Sequence, residues 1–432
     1  MGISKKKVSF HTLGCKLNFA ETSAIARSLP DDRYEKVPQG ADADIYVINT
    51  CTVTGTADMK CRQTIKKLIS RSPDAIIAVV GCYAQLNPEK ILEIPGVKIV
   101  LGNHEKFNLS EYLDNRKDGE IIHACGNTAN DSYFPAFSVG GRTRSFLKVQ
   151  DGCDYRCSYC TIPDARGPSR NQDIASIVSE AEKIAGNGIK EIVLTGVNIG
   201  DFGKSTGDTF TGLLKELVRV EGIERYRISS IEPDLISSEL IDLAAVSGKI
   251  LPHFHIPLQS GSDRILGLMR RRYKRELFER NVSLINTKIQ MAGIGADVIV
   301  GFPGESDDDF EDTFTFLERM PLSYLHVFSF SERPGTPAWE MPGKVPFPVR
   351  EERSRRLISL SGRKHMEFCT ANTGTNAHVL FEHSRKEGMI TGFTGNYLSV
   401  EYPWNISLAG KIRKVILTGI ASSGRMSAEI IN

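Results

Sequence analysis

Three apolar runs in this chain each end on a cysteine: KVSFHTLGC closes at Cys15, DIYVINTC at Cys51 and AIIAVVGC at Cys82. The thiols stand 36 and 31 residues apart, about one strand–helix unit per step. Amphipathic stretches such as TADMKCRQTIKKLIS lie between the runs, and VKIVLG supplies a further strand. Such alternation specifies a parallel sheet with helices on both faces. Equivalent strand ends of that sheet meet at its carboxyl edge, where its ligands bind. Gly14 and Gly81, each just before a thiol, allow the backbone to approach a bulky inorganic group. A lone buried cysteine is ordinarily a small packing residue, but three at equivalent strand ends point to a shared metal group. Three thiolates leave one iron of a four-iron cluster open to a substrate. Cys125 also ends a strand-like run, EIIHAC, yet lacks the preceding turn; with Cys61 in mid-helix and Cys369 at a helix end it reads as an ordinary thiol.

At 432 residues the chain exceeds one ordinary core, so several domains are expected. Residues 126–142, rich in Gly, Asn and Ser, read as a linker after a domain of residues 1–125. Strand-like runs then resume as SFLKVQ, EIVLTG, RYRISS, LPHFHIPL, IGADVIVG and YLHVFSF. Six such units over residues 143–372 predict a partial version of the eight-stranded α/β barrel, closed by a charged helix over about 349–369. Residues 373–432 are short strand-like pieces with Gly turns, which predict a small β-barrel. The fold class is therefore multidomain α/β with an appended barrel.

The loop after the first strand of the second unit reads DGCDYRCSYCTIP and places Cys153, Cys157 and Cys160 at C-x₃-C-x₂-C spacing. Structural zinc wants four ligands, often as two CxxC pairs, and no partner pair stands nearby. A bacterial ferredoxin run needs C-x₂-C-x₂-C and a fourth Cys before Pro. This loop resembles that of the radical-SAM superfamily, which holds a 4Fe-4S cluster with one open iron. The resemblance implies that S-adenosylmethionine (SAM) chelates that iron and is cleaved to a 5′-deoxyadenosyl radical, with Cys153, Cys157 and Cys160 as the catalytic ligands. It also implies SAM contacts at strand ends, placing Gly196, Ser229, Gln259 and Val298 near the cofactor. Arg166, in IPDARG, is then a candidate to face substrate or the SAM carboxylate, as much as a surface arginine.

The order of a three-cysteine α/β domain, a radical-SAM partial barrel and a small carboxy-terminal barrel resembles the methylthiotransferases over essentially the whole chain. The last segment is similar to that family's TRAM domain, an OB-like RNA-binding barrel. The resemblance implies two 4Fe-4S clusters with three Cys ligands each. Cys15, Cys51 and Cys82 would hold the auxiliary one, whose sulfur is methylated by one SAM and coupled to a substrate carbon activated by a second. FHTLGCKLNFAET and CDYRCSYCTIPDARG are most similar to the tRNA N6-threonylcarbamoyladenosine branch. The implied substrate is adenosine 37 beside the anticodon, methylthiolated at C2. Isopentenyladenosine in tRNA and an aspartate of a ribosomal protein are the substrates of related branches. A zinc-bound RNA-binding protein without catalysis is the alternative of another class.

A formal charge of +2 excludes a histone-like polycation, so any RNA contact must be local. RILGLMRRRYKR carries six basic residues, among them Arg270, Arg271 and Arg272, and suits phosphate contacts, although basic runs are commonly solvated helix faces. In the last segment six Lys/Arg meet four Asp/Glu. Of its aromatics Phe381, Phe393, Tyr397, Tyr402 and Trp404, two at most are expected on RNA and the others in the barrel core. The basic start MGISKKK is followed by too short an apolar run for a signal peptide, and no run approaches the roughly eighteen apolar residues of a membrane helix. A cytoplasmic protein is expected, with nine cysteines serving metal chemistry rather than disulfides. Its expected partners are tRNA at the anticodon loop and a low-potential electron donor such as flavodoxin or ferredoxin.

Overall fold

The protein is described from a computed structural model covering residues 5–129, 132–140 and 142–431. Residues 1–4 of the basic start, residues 130, 131 and 141 of the expected linker, and residue 432 lie outside them. The first sheet contains β1 (Lys6–Thr12), β2 (Tyr34–Val37), β3 (Ile45–Thr50), β4 (Ile76–Gly81), β5 (Val97–Leu101) and β6 (Ile122–Ala124). They pair in the order β2-β1-β3-β4-β5-β6, every pair parallel. Alternation along the strands feeds two cores. Tyr46, Ile48, Ile77 and Val79 point to one face and Ile45, Val47, Ala78 and Val80 to the other. The chain reverses direction across the sheet between β1 and β3, the switch point at which open α/β sheets bind ligands.

The central unit has β7 (Arg144–Lys148), β8 (Glu191–Thr195) and β9 (Arg225–Ile228) in one parallel sheet, and β10 (His253–His255), β11 (Gly293–Val300) and β12 (Tyr324–Ser329) in another. A parallel bridge from Tyr226 to Ile250 joins the two into one arc of six strands. One apolar core under helices such as Ile174–Gly186, Phe210–Leu217 and Arg275–Lys288 covers the outside of that arc. Residues 133–139 form no element of their own but are not a free linker. Ser138 and Lys148 exchange main-chain bonds with Phe146 and Ala136 beside β7, and Phe134 stacks on Phe107 at 4.4 Å. The FPAF apolar residues within the polar stretch account for this packing.

The last unit closes β13 (Asn376–Lys386), β14 (Met389–Phe393), β15 (Ser399–Pro403), β16 (Ile412–Ile420) and β17 (Met426–Ile430) into a barrel of order β13-β14-β15-β17-β16. Only β15 and β17 run parallel; β13, bent by a bulge, pairs with both β14 and β16. This is the order of an OB-like barrel. Two arginines of β9 clamp it: Arg225 donates to His378 O at 2.7 Å, and Arg227 to Gly395 O at 2.9 Å and Thr394 O at 3.1 Å. Glu191 beside them balances Arg227 at 3.0 Å. Among the described residues no helix is long and apolar enough to cross a membrane.

Removing one partner of a buried ion pair costs about 3–5 kcal/mol. Arg227→Leu is therefore expected to lower the melting temperature and to make the carboxy-terminal barrel an early product of limited proteolysis. An unchanged melt and digestion pattern would place the docking energy elsewhere.

Candidate active site between two cysteine triads

Cys15, Cys51 and Cys82 sit where β1, β3 and β4 end, astride the switch point. Register brings them side by side, since Thr12 pairs with Asn49 and Thr50 with Gly81. Gly14 adopts φ +99°, and a Cβ there would fall 2.8 Å from the Cys51 sulfur. Gly81, at φ +96°, would place a Cβ 2.9 Å from Thr50 O. Both glycines are thus required by close approach as well as by φ. Asn18 braces the edge by donating to Leu13 O at 2.8 Å and Thr50 O at 3.0 Å. Burial pushes the Cys51 thiol up to about 12. Cys61 and Cys125 donate to the carbonyls of Cys51 and Ala84, both at 3.4 Å, while Cys369 packs in the barrel core.

Cys153, Cys157 and Cys160 occupy the loop beyond β7. Gln150 organises that loop: its amide donates to Asp151 O, Gly152 O and Ser169 Oγ, and its oxygen accepts from Val197 N and Asn198 N. A Cβ on Gly196 would lie 2.7 Å from Gln150 O, so glycine there lets the end of β8 close onto the loop. Each sulfur receives one N–H donor: Tyr155 N on Cys153 at 3.4 Å, Ile162 N on Cys160 at 3.5 Å and Arg271 Nη1 on Cys157 at 3.1 Å. Such donors stabilise thiolate sulfur in iron–sulfur sites. As free thiols Cys153 and Cys160 are pushed up to about 12 by burial, so ionising them needs a cation at the sulfurs.

Zinc–sulfur bonds of about 2.3 Å hold ligand sulfurs within roughly 4 Å of each other. Among the described residues only His255, Asp297 and His326 bring three ligand atoms within 4.8 Å of one another. Both thiol triads are more open and suit a larger inorganic group. The glycine cradle of the first triad and the N–H···S donors of the second each fit a four-iron cluster.

A cavity of about 200 Å³ is lined by sequence neighbours of cysteines from both triads. Val53 and Thr54, just past Cys51, line one side; Tyr159, between Cys157 and Cys160, lines another; Gln259, Asp297 and Phe328 complete it. Gln259 takes a left-handed backbone, φ 67°, and bridges to Val298 on β11. The Val298 side chain itself is buried in the helix-side core, and the twofold alternation of β11 turns Asp297 and Ile299 into the cavity instead. Ser229 lies half-buried just past β9. Burial would raise the Asp297 carboxyl, but hydrogen bonds from His255 at 2.8 Å and His326 at 3.3 Å outweigh it and hold the group below the usual carboxylate range.

Two of the expected substrate arginines are turned inward. Arg166 is 2 % exposed and bonded to Glu21 and Asp151. Arg271 is 3 % exposed, paired with Glu232 and set against Cys157. The basic run is no single helix: helix Asp263–Leu268 ends before it, and Arg270, at φ 59°, lies in the turn. That turn leaves Arg270 and Arg272 exposed, Arg272 4.0 Å over the Tyr155 ring. Phe381 is core, while Phe393 and Tyr397 stack at 5.1 Å beside Arg144 and Arg227. Sequence reading missed Glu21, Gln150, Glu232 and Asp297; for Asp297 the alternation in ADVIVG was the available signal.

A family model described as uncharacterized protein family UPF0004 matches residues 7–102, and that of the radical SAM superfamily matches residues 147–317. The chain is 41% identical to a threonylcarbamoyladenosine tRNA methylthiotransferase MtaB of Bacillus subtilis, over 94% of this chain and 93% of the relative. It is 39% identical to the MtaB of Aquifex aeolicus, over 95% and 100%. A tRNA-2-methylthio-N(6)-dimethylallyladenosine synthase of Geotalea uraniireducens is 34% identical, over 96% of each chain. Among solved structures the radical SAM methyltransferase TsrM of Kitasatospora setae aligns at TM-score 0.57 and 16% identity, over 90% of this chain and 81% of that one, a likeness of fold. Near full-length identity of this order, with both domain matches in the expected sequence, makes the chain a member of the MtaB-like radical-SAM methylthiotransferase family.

Proposed function

We propose that the chain methylthiolates C2 of N6-threonylcarbamoyladenosine at position 37 of tRNA, using two 4Fe-4S clusters and SAM. The observation that carries this reading is a single cavity lined by Val53 and Thr54, just past Cys51, and by Tyr159, between Cys157 and Cys160. The names of the MtaB relatives supply the substrate. When bound, the cluster on Cys153, Cys157 and Cys160 supplies the electron that cleaves SAM, and the group on Cys15, Cys51 and Cys82 supplies the sulfur. The chain's own residues position and shield. Gln150 fixes the loop geometry, and Arg271 with Glu232 holds Cys157. Partly buried Tyr159 and Ile299 shield a radical from water, with Val53 and Phe328 at the open side, and ionised Asp297 offers the docked base a fixed acceptor.

SAM would lie along the strand ends at Gly196, Ser229 and Gln259, with Val298 contributing backbone through its bridge to Gln259. The anticodon loop would be gripped by Arg270 and Arg272 and by residues 373–432 acting as a TRAM domain in a cytoplasmic enzyme. The electron would come from a flavodoxin or ferredoxin.

Nucleoside analysis tests the substrate. Deleting the gene is expected to remove 2-methylthio-N6-threonylcarbamoyladenosine and leave the unthiolated nucleoside. Unchanged tRNA with an altered ribosomal protein, or loss of methylthiolated isopentenyladenosine instead, would assign the chain to a sister branch. The two triads should separate in vitro. Cys153→Ala, Cys157→Ala and Cys160→Ala together abolish SAM cleavage and keep one cluster. The same changes at Cys15, Cys51 and Cys82 keep uncoupled cleavage and lose methylthio product; normal thiolation there would refute the auxiliary assignment. Arg270→Ser with Arg272→Ser is expected to weaken tRNA binding and to reduce the salt slope by about one for each phosphate that is no longer neutralised.

A further inference from the structure

Six ionisable side chains are sealed where the first sheet's unit meets the partial barrel. Glu21 and Lys106 come from the former, and Lys148, Asp151, Arg166 and Arg170 from the latter; none is more than 5 % exposed. Glu21 accepts from Lys106 at 2.7 Å, Lys148 at 3.1 Å and both terminal nitrogens of Arg166 at 3.0 Å. Asp151 accepts from Lys148 at 2.7 Å, Arg166 at 2.9 Å and Arg170 at 3.1 Å. Among the described residues no third carboxylate is ion-paired to these four cations. Among the described residues four positive charges against two negative leave an excess of two in a place cut off from water.

Taking an uncompensated charge out of water costs several kcal/mol per ion. A network that only docked two domains would be neutral, so this excess calls for a negative group close by. Two asparagines lead from it to the auxiliary triad. Arg166 donates to Asn18 Oδ1 at 3.1 Å, and that oxygen stands 3.7 Å from the Cys15 sulfur. Lys106 donates to Asn103 Oδ1 at 2.9 Å, and Asn103 Nδ2 stands 3.6 Å from the Cys82 sulfur. The other triad is treated differently. Among the described residues the one cation bonded to its sulfurs, Arg271 on Cys157, is cancelled by Glu232.

We infer that Arg166 and Lys106 are positioning residues that compensate the negative charge at Cys15 and Cys82, Arg166 by its charge across the short gap spanned by Asn18, and Lys106 through the Asn103 amide, raising the reduction potential of the auxiliary cluster and not that of the SAM-cleaving one. The inference rests on the two-cluster reading above. A cluster on three thiolates carries net negative charge that grows by one on reduction, and nearby charge sets its potential. The chemistry gives that potential a use. Joining a carbon radical to a methanethiolate held on that cluster would form one C–S bond, break the sulfur–iron bond and leave one electron over, which an auxiliary cluster of raised potential would accept. SAM cleavage by contrast needs a donor of low potential, and there the protein supplies a neutral ion pair.

The test is an EPR-monitored titration of the anaerobically reconstituted full chain with titanium(III) citrate, following both clusters. Arg166→Met and Lys106→Met are expected to shift the auxiliary reduction equilibrium at least tenfold toward the oxidised form, about 59 mV for one electron. Glu21→Gln, which removes a negative charge, should shift it the opposite way. Arg166→Lys should restore it. Asn103→Leu, which changes no charge and spares the ion pairs, should shift it in the same direction as Lys106→Met. The SAM-cleaving cluster should keep its potential throughout. An unmoved auxiliary potential in iron-loaded Arg166→Met and Asn103→Leu proteins, or equal shifts in both clusters, would overturn the inference alone. Iron and sulfide for only one cluster in the wild-type chain would overturn the two-cluster reading and this inference with it.

Discussion

Cys51, Cys153 and Cys160 are held in an interior where a lone thiol stays protonated. Other features of the structure answer that constraint. Parallel sheets are the economical solution, because each strand delivers one residue to the same carboxyl edge and a helix carries the chain back. Glycines at Gly14, Gly81 and Gly196 remove the side chains that would keep those edges apart. Backbone N–H groups of Tyr155 and Ile162 are turned onto sulfur, where they favour the thiolate without adding a charge. With these conditions met, a cation at the sulfurs would complete the electrostatics and link folding to metal loading.

Most of the architecture was legible because apolar period and cysteine placement report the same strands. The runs ending at Cys15, Cys51 and Cys82 became β1, β3 and β4, and the six later runs became β7 to β12. The edge strand β2 was not legible: of its four residues YEKV only Tyr34 is buried, so it carries no apolar run. LPHFHIPL kept only three residues as β10, since Pro252 and Pro257 bound it on either side.

The site was legible in its thiols and much less so in what surrounds them. Cysteine spacing is one-dimensional information, whereas the partners of a charge are not. Glu21 lies in helix Lys16–Ser28, in a stretch that reads like any solvated helix face, and its three cations come from residues 106, 148 and 166. Arg270, Arg271 and Arg272 look equivalent in a basic run. A turn sends the middle one to the Cys157 sulfur and leaves its neighbours outside. Val298 differs from the cavity residues Asp297 and Ile299 by one step of a twofold period, which a strand-end guess does not fix.

The cavity is also where the three units constrain one another. Residues 53 and 54 reach it from the first sheet, and Arg333 ties that turn back by donating to Asp58 at 2.7 Å and to Thr52. From the other side Tyr397 of the carboxy-terminal barrel packs 4.5 Å from His253. His253 and His255 share the Tyr324 hydroxyl at 2.9 Å and 3.2 Å, and His255 holds Asp297. Asp297 is therefore oriented through contacts that begin on the small barrel. A barrel displaced at Arg225 and Arg227 would free Tyr397 and with it one end of that series. The arginine clamp on β9 thus does more than tether the small barrel, since through Tyr397 it bears on a cavity wall two strands away.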